Sequence, residues 1–364
     1  MTAALKENRA RRWAGSGWGR RSARVLIAPV AGIALTIILI AGSGSPPIPV
    51  LYAGFEYALG GLEPIARTIA WGLPLYVVVL GVSVGLRSGM FTVGAEGQIY
   101  VGALVGALAG ASIGGLAPVA HQAVAVSLAA LAAGALSAGL GWLALRWGVD
   151  VILSSLLSNY ILMYLCVFLA KGPFNDPLAD APGATHQILP GAQFPLLIPK
   201  TQLTAAIFVV GVLVLGIWWL VERSVAGYRF RMIGESRGFA TAVGINVSRW
   251  QILAMAISGA LCGVGGAIIV MASQGRFTSE IAIGLGWIAI MLALIARSRP
   301  GLAVVWVTVY SIMRSASRRI EQIADVPSEL AVLVICVVLV AAAAAPQIVS
   351  MVSDEWKRRR HGMA

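Results

Sequence analysis

The sequence predicts an all-α, polytopic integral membrane protein, a helical bundle of about ten transmembrane helices. Three observations carry that prediction. The 364 residues are 59% hydrophobic and only 12% charged, and the mean hydropathy is +0.85, which is too apolar for a water-soluble domain. Charges and Pro/Gly clusters divide the chain into about ten apolar stretches, most of them close to the roughly 20 residues a helix needs to cross hydrocarbon. The basic residues collect at the ends of these stretches rather than along them.

In chain order the spans fall near 25–42, 65–86, 98–116, 121–145, 151–170, 203–221, 249–272, 284–296, 301–313 and 328–350. The short stretches around Trp287 and Val305 read equally as one broken or re-entrant unit. Arg9, Arg11, Arg12, Arg20, Arg21 and Arg24 precede the first span, and Lys357, Arg358, Arg359 and Arg360 follow the last. Both termini are therefore expected in the cytoplasm, since Lys and Arg concentrate on the inner side. The organisation is a basic segment at 1–24, a transmembrane domain at 25–350 and a basic tail at 351–364. Arg87, Arg146, the 223–249 stretch, Arg297 and Arg299 then fall inside, whereas Arg314, Arg318 and Arg319 fall outside unless they ride an amphipathic interfacial segment. The net charge of +12 is thus a topology signal, and no nucleic-acid partner is expected. Cys166, Cys262 and Cys336 lie within predicted spans, where thiols act as small apolar fillers. His121, His186 and His361 are too far apart in sequence to suggest a metal site.

Two polar segments interrupt the spans. Residues 171–201 carry Pro173, Pro177, Pro182, Pro190, Pro195 and Pro199, which cannot continue a helix and predict an ordered, extended external loop. Residues 222–248 form an internal loop that mixes charge with apolar anchors. A short helix is expected from about Ser236 to Val243, with Ser236 as N-cap and Gly244 as the left-handed residue past its end. Phe239, Ala240 and Val243 would share one face and fit the groove of a soluble partner. A linker lying on the bilayer surface, its arginines solvated, fits the same pattern.

Between the second and third spans lies Phe91-Thr92-Val93-Gly94-Ala95-Glu96-Gly97-Gln98. Backbone that leaves the helical ladder at membrane depth must be buried in protein or line a watery cavity, so this break suggests a solute pathway. Glu96 either serves that pathway or complements the positive end of the helix beginning near Gly97. Ser154, Ser155, Ser158, Asn159 and Tyr160 place hydrogen-bonding groups on the fifth span, as interhelical glue or as solute contacts. Gly102, Gly106, Gly110 and Gly114 form a small-residue ridge that reads as helix packing. Arg276 and Glu280 are expected to form a solvated loop pair. No Gly-x-x-x-x-Gly-Lys-Ser/Thr loop is present to cradle nucleotide phosphates, so the chain is not expected to hydrolyse ATP by itself. Nor is it expected to be an intramembrane enzyme.

The stretch Gly89 to Gln98 is similar to the Gly-Ala-Glu-Gly-Gln signature of nucleoside-type permeases. Three further segments agree in order: Asp150-Val151-Ile152 through Asn159-Tyr160-Ile161, Lys171-Gly172-Pro173, and Gly227-Tyr228-Arg229-Phe230-Arg231-Met232-Ile233-Gly234-Glu235 running on to Gly244-Ile245-Asn246. The chain therefore resembles the permease subunits of bacterial ABC importers for nucleosides and simple sugars, relatives of the branched-chain amino acid and ribose permeases. The resemblance implies a type II importer-like permease in the bacterial inner membrane. It implies a translocation route bordered by Phe91, Thr92, Gly94, Glu96, Gly97, Gln98, Ser155, Asn159 and Tyr160. It also implies a coupling loop comprising Gly227, Tyr228, Arg229, Arg231, Gly234, Glu235, Ser236, Phe239, Ala240, Gly244, Ile245 and Asn246. The implied partners are ATPase subunits that hold ATP and Mg, a second permease subunit, an external solute-binding protein and the lipid bilayer. This chain itself would bind no cofactor. Thr92 and Ser236 stand where Asn is usual, and Ile295-Ala296-Arg297 stands where Leu-Gly-Arg is common. A purine nucleoside is the expected cargo, with simple sugars or branched-chain amino acids as alternatives and an ion-coupled carrier as the reading from another class.

Overall fold

The computed structural model describes residues 46–179, 183–199 and 201–324. The expected spans at 25–42 and 328–350, the terminal basic segments, Pro182, Cys336 and His361 lie outside the described residues. Within them there are eleven α-helices and no strand, only the isolated bridges Asn175–Thr185 and Leu196–Thr204. In order these are α1 (Pro47–Leu59), α2 (Leu62–Arg87), α3 (Ala95–Ser112), α4 (Pro118–Trp147), α5 (Val151–Lys171), α6 (Ala206–Arg223), α7 (Val225–Glu235), α8 (Arg237–Ala242), α9 (Val247–Ile269), α10 (Leu285–Ile295) and α11 (Pro300–Ala324). Residues 58–312 form one compact unit, and the described residues 46–57 and 313–324 belong to a second. In that second unit Gly54 packs on Ile320, and the Arg319 guanidinium lies 5.9 Å from the Tyr57 ring.

Five helices are long and apolar enough to cross a membrane: α2, α4, α5, α6 and α9 with its π-helical extension to Gln274. The expectation of about ten crossings is met only to that extent among the described residues. α10 has 11 residues and a length of about 16 Å, roughly half a bilayer core. α11 runs 11 residues beyond the expected span at 301–313, carrying Arg314, Arg318 and Arg319 inside a single helix. The two short stretches are separate helices, joined by a turn in which Arg297 and Ser298 adopt φ of 51° and 53°. The helix α1 was not among the expected spans, although Pro47 at its first position and Gly60-Gly61 past its end are start and stop signals.

Local chemistry sets the ends of the others. Asp150 caps α5 by accepting from the Leu153 N–H at 2.8 Å, Pro118 opens α4, and Gly148 closes it at φ 66°.

The core is built around α9. The windows of α2 and α9 are 72% buried, against 28%, 17% and 22% for α4, α5 and α6. Two central helices are therefore ringed by helices whose outer faces are left for lipid. Hydrocarbon gives helices no hydrophobic reason to associate, so close backbone approach supplies the packing energy. α9 supplies it with Gly259 and Gly263 against Ala129, Ala133 and Ser137 of α4, Gly265 against Val78 of α2, and Gly266 against Ile99 and Ala103 of α3. The ridge on α3 answers it: Gly102 faces Gly263, Gly106 faces Ala267, and Gly110 meets Ile188 and Ala192 of the 171–205 loop. The described parts of that loop run without helix apart from one short turn at Pro190–Ala192. It is stitched down by Ile188 N–H to Gly275 O (2.9 Å), Leu189 N–H to Gly110 O (2.9 Å) and Phe194 N–H to Met271 O (3.0 Å).

A Cβ on Gly102 or Gly266 would overlap the backbone of the facing helix. Gly102→Val and Gly266→Val are each expected to cost at least about 2 kcal/mol, read as a lower melting temperature in detergent. Gly139→Ala, with open space around it, changes stability by less than about 1 kcal/mol.

Candidate functional site

The chain leaves α2 at Arg87, turns at Gly89 (φ 75°), runs extended to Gly94 and re-enters a helix at Ala95. The break is thus 88–94, and Glu96, Gly97 and Gln98 occupy the first turn of α3, earlier than expected. Ser88, Gly89 and Met90 turn back to donate to α2 carbonyls, whereas the buried N–H groups further along have no water and need side-chain acceptors. α5 provides two, one turn apart. The Val93 N–H donates to Ser155 Oγ at 2.9 Å, and the Gly97 N–H donates to Asn159 Oδ1. Ser155 in turn donates to the Ile152 carbonyl at 3.1 Å. Closeness permits this, because Gly97 lies on the Asn159 backbone and Gly94 on Ser155.

Glu96 spans a second junction. Its Oε1 accepts from the Gly284 N–H at 2.9 Å, at the start of α10, while Gly286 lies against its backbone. One carboxylate therefore sits at the positive ends of α3 and α10 together. Glu96 Oε2 and both polar atoms of the Gln98 amide are buried without a hydrogen-bond partner. These are the uncommitted polar groups of the break. Thr92 is buried and accepts from the Gly94 N–H at 3.2 Å, and Phe91 is half-buried. Tyr160 stands apart: it is 46% exposed on the outside of α5 and does not join the cluster. The Ser and Asn of α5 serve here as interhelical glue.

The 222–248 segment holds two short helices where one was expected. Ser224 caps α7 by accepting from Gly227 N–H, and Ser236 caps α8 by accepting from Phe239 N–H at 3.3 Å. Gly244 (φ 81°) and the Ile245 N–H to Ala240 O bond (3.0 Å) end α8 as its sequence predicts. Asn246 then caps α9 by accepting from Arg249 N–H at 3.1 Å. The missed helix, α7, is anchored by Phe230, which is buried with Val84, Val221 and Ala254 and meets the Trp250 ring at 5.7 Å. Arg229 covers that indole at 4.6 Å. The expected shared face of α8 is divided: Ala240 is buried, whereas Phe239 and Val243 are exposed, as is Tyr228 on α7.

This segment touches the break directly. Gly234 lies on the Arg87 carbonyl, where there is no room for a Cβ, and tightly against the Gly89 backbone. Arg237 reaches Met90 Sδ at 3.8 Å, and the Gln251 amide of α9 donates to the Ser88 carbonyl at 3.1 Å. Arg87 donates to Glu222 Oε1 at 2.9 Å and to Ser298 O at 3.1 Å, while Arg231 donates to Glu222 Oε2 at 3.3 Å. The same groups line a cavity of about 960 Å³ with Arg223, Arg297 and Arg299. Arg87 reads in the sequence only as a topology marker, and nothing there points to Glu222, Ser298 or Gly284 as its partners or those of Glu96. The paired spacing of Ser155/Asn159 and Val93/Gly97 was the one available signal. No ion pair joins Arg276 to Glu280 among the described residues, so that expectation fails.

The described architecture is a bundle with five helices long and apolar enough to cross a membrane, a clamped helix break and two short helices beside it. The chain belongs to the family described as branched-chain amino acid transport system, permease component, which matches residues 65–343. The ABC permease resemblance carried by Gly94 to Gln98 therefore holds, and the chain is a transport permease component rather than a catalytic subunit. It is 24% identical over 348 residues to the glucose ABC transporter permease TsgB13 of Haloferax volcanii, covering 92% of this chain and 87% of that one. It is 25% identical over 323 residues to the guanosine ABC transporter permease NupP of Bacillus subtilis, covering 86% and 90%. To the probable riboflavin import permease RfuC of Treponema pallidum it is 28% identical over 297 residues, covering 80% and 77%. No solved structure matches the chain.

Asn159→Leu and Ser155→Ala each strand a buried N–H and are expected to cost about 1–3 kcal/mol, measured by thermal melting in detergent. Tyr160→Phe, at an exposed position, stays within about 0.5 kcal/mol of the parent.

Proposed function

We propose that this chain imports a small, uncharged polar solute, a purine nucleoside first, across the bacterial inner membrane by alternating access. It does so as one of two permease subunits enclosing a central route. The observation that carries this reading is the Gly234–Gly89 contact, which joins a surface element to the turn that opens the buried break. In this reading α7 and α8 lie in the cytoplasm, and exposed Tyr228, Phe239 and Val243 enter a cleft of a separate ATPase. ATP and Mg stay in that ATPase. Closure of two ATPases moves α7, and Gly234 transmits the displacement to Gly89 and on to Thr92 and Val93. Glu96 and Gln98, with polar atoms still free, offer the solute weak contacts. An external binding protein delivers it. Ten crossings with both termini inside and terminal segments at 1–24 and 351–364 complete the topology, which follows the arginine placement.

Nucleoside cargo is supported by the guanosine permease among the relatives. The glucose permease favours a simple sugar as the second reading. Titration of the binding protein encoded beside this gene with nucleosides, pentoses and leucine decides between them, and tight binding of leucine alone overturns both.

Gly234→Val is expected to lower uptake by at least about tenfold, equivalent to about 1.4 kcal/mol on the barrier, and to reduce co-purification with the ATPase. Gly238→Ala, which meets nothing nearby, leaves uptake unchanged. Equal uptake by the two variants at equal membrane level would refute the coupling role.

A further inference from the structure

At the opposite end of α9 from α7 and α8, about 40 Å away along the helix, the described residues 187–204 border, with the π-helical turn Val270–Gln274, an open cavity of about 350 Å³. Its polar lining includes the amides of Gln187, Gln193 and Gln274 and the hydroxyl of Ser273, and Phe194 and Met271 supply apolar surface. No charged residue lines it among the described residues. In its wall Thr204 is 1% exposed, its hydroxyl buried away from the cavity without a hydrogen-bond partner. The helix also widens to π geometry at this wall, ended by Gly275 (φ 70°) with its N–H on the Val270 carbonyl at 2.8 Å; such turns gather at functional sites. The amides of Gln187 and Gln193 converge on Gly275.

We infer that this cavity is a solute site for neutral, hydrogen-bonding molecules of the nucleoside and sugar class, occupied on the outer side before the solute reaches the break. Amides present donors and acceptors together, which match ribose hydroxyls and the edge of a heterocycle, while Phe194 gives the less polar face a surface. The volume lies within the range of small-molecule sites. An amino acid would have to strip water from an ammonium and a carboxylate with no opposite charge to receive either. The site thus discriminates among the cargoes that family membership alone leaves open. The inference rests on the importer reading for its placement on the outer side.

The test uses the full chain in nanodiscs carrying Ser273→Cys, a solvent-exposed position on the cavity wall, labelled by a charged maleimide with background from the parent chain subtracted. Millimolar guanosine or ribose is expected to slow labelling about threefold, and leucine to leave it unchanged. Adding Gln187→Leu, which removes an exposed lining amide, is expected to remove the protection; protection left intact by that change overturns the role of the amides. Labelling at one rate with and without guanosine or ribose overturns the site, and equal protection by leucine overturns its selectivity. Guanosine or ribose uptake by cells carrying the parent chain is measured in parallel. No protection of the Ser273→Cys chain by guanosine or ribose, with intact uptake, sinks this site alone, whereas protection without uptake sinks the importer reading.

Discussion

The buried N–H groups of Val93 and Gly97, on either side of the start of α3, have neither a helical carbonyl nor water to turn to. The rest of the described architecture answers that constraint. Ser155 and Asn159, one turn apart on α5, take the N–H groups of Val93 and Gly97, which fixes α5 against α3 in both position and register. Glu96 carries the same logic to α10, where its carboxylate holds the Gly284 N–H. The glycines at 97 and 286 follow from this, since each lies where a Cβ would collide with the groups making or flanking those bonds.

A break held from three sides is stiff as a unit, and stiffness lets a push at one edge arrive at another. The edge is Gly89, on which Gly234 rests. The anchor of the element that carries Gly234 is Phe230, buried among Val84, Val221 and Ala254, and Glu222 is shared between Arg87 and Arg231. α7 is thus tied to the ends of α2 and α6 by one apolar contact set and one ionic set. Tyr228, Phe239 and Val243, by contrast, contribute little to this anchoring and remain exposed.

At the other end of α9 the helix ends in π geometry under a proline-rich loop, and the polar groups there carry no charge. The two ends of one helix differ in chemistry as they would if they served different clients. Arginines surround the end that meets α7, and amides and hydroxyls line the end that meets the loop.

Composition and spacing alone determined the all-helical membrane class, most helix positions, the cap residue Ser236 and the presence of a helix break near 91–98. These are local or periodic properties, written in nearest neighbours and in the length of a bilayer. The sequence also marked Ser155 and Asn159 as polar anomalies without saying whether they hold backbone or solute. Tertiary structure decided what depends on distant segments meeting. It paired Glu96 with Gly284, 188 residues away, seated Gly234 on Gly89, and turned Tyr160 outward. It also made α9 the centre through a glycine set at 259–266 whose partners lie on three other helices. A glycine's use is set by what approaches it, and nothing in the chain near it says what that is.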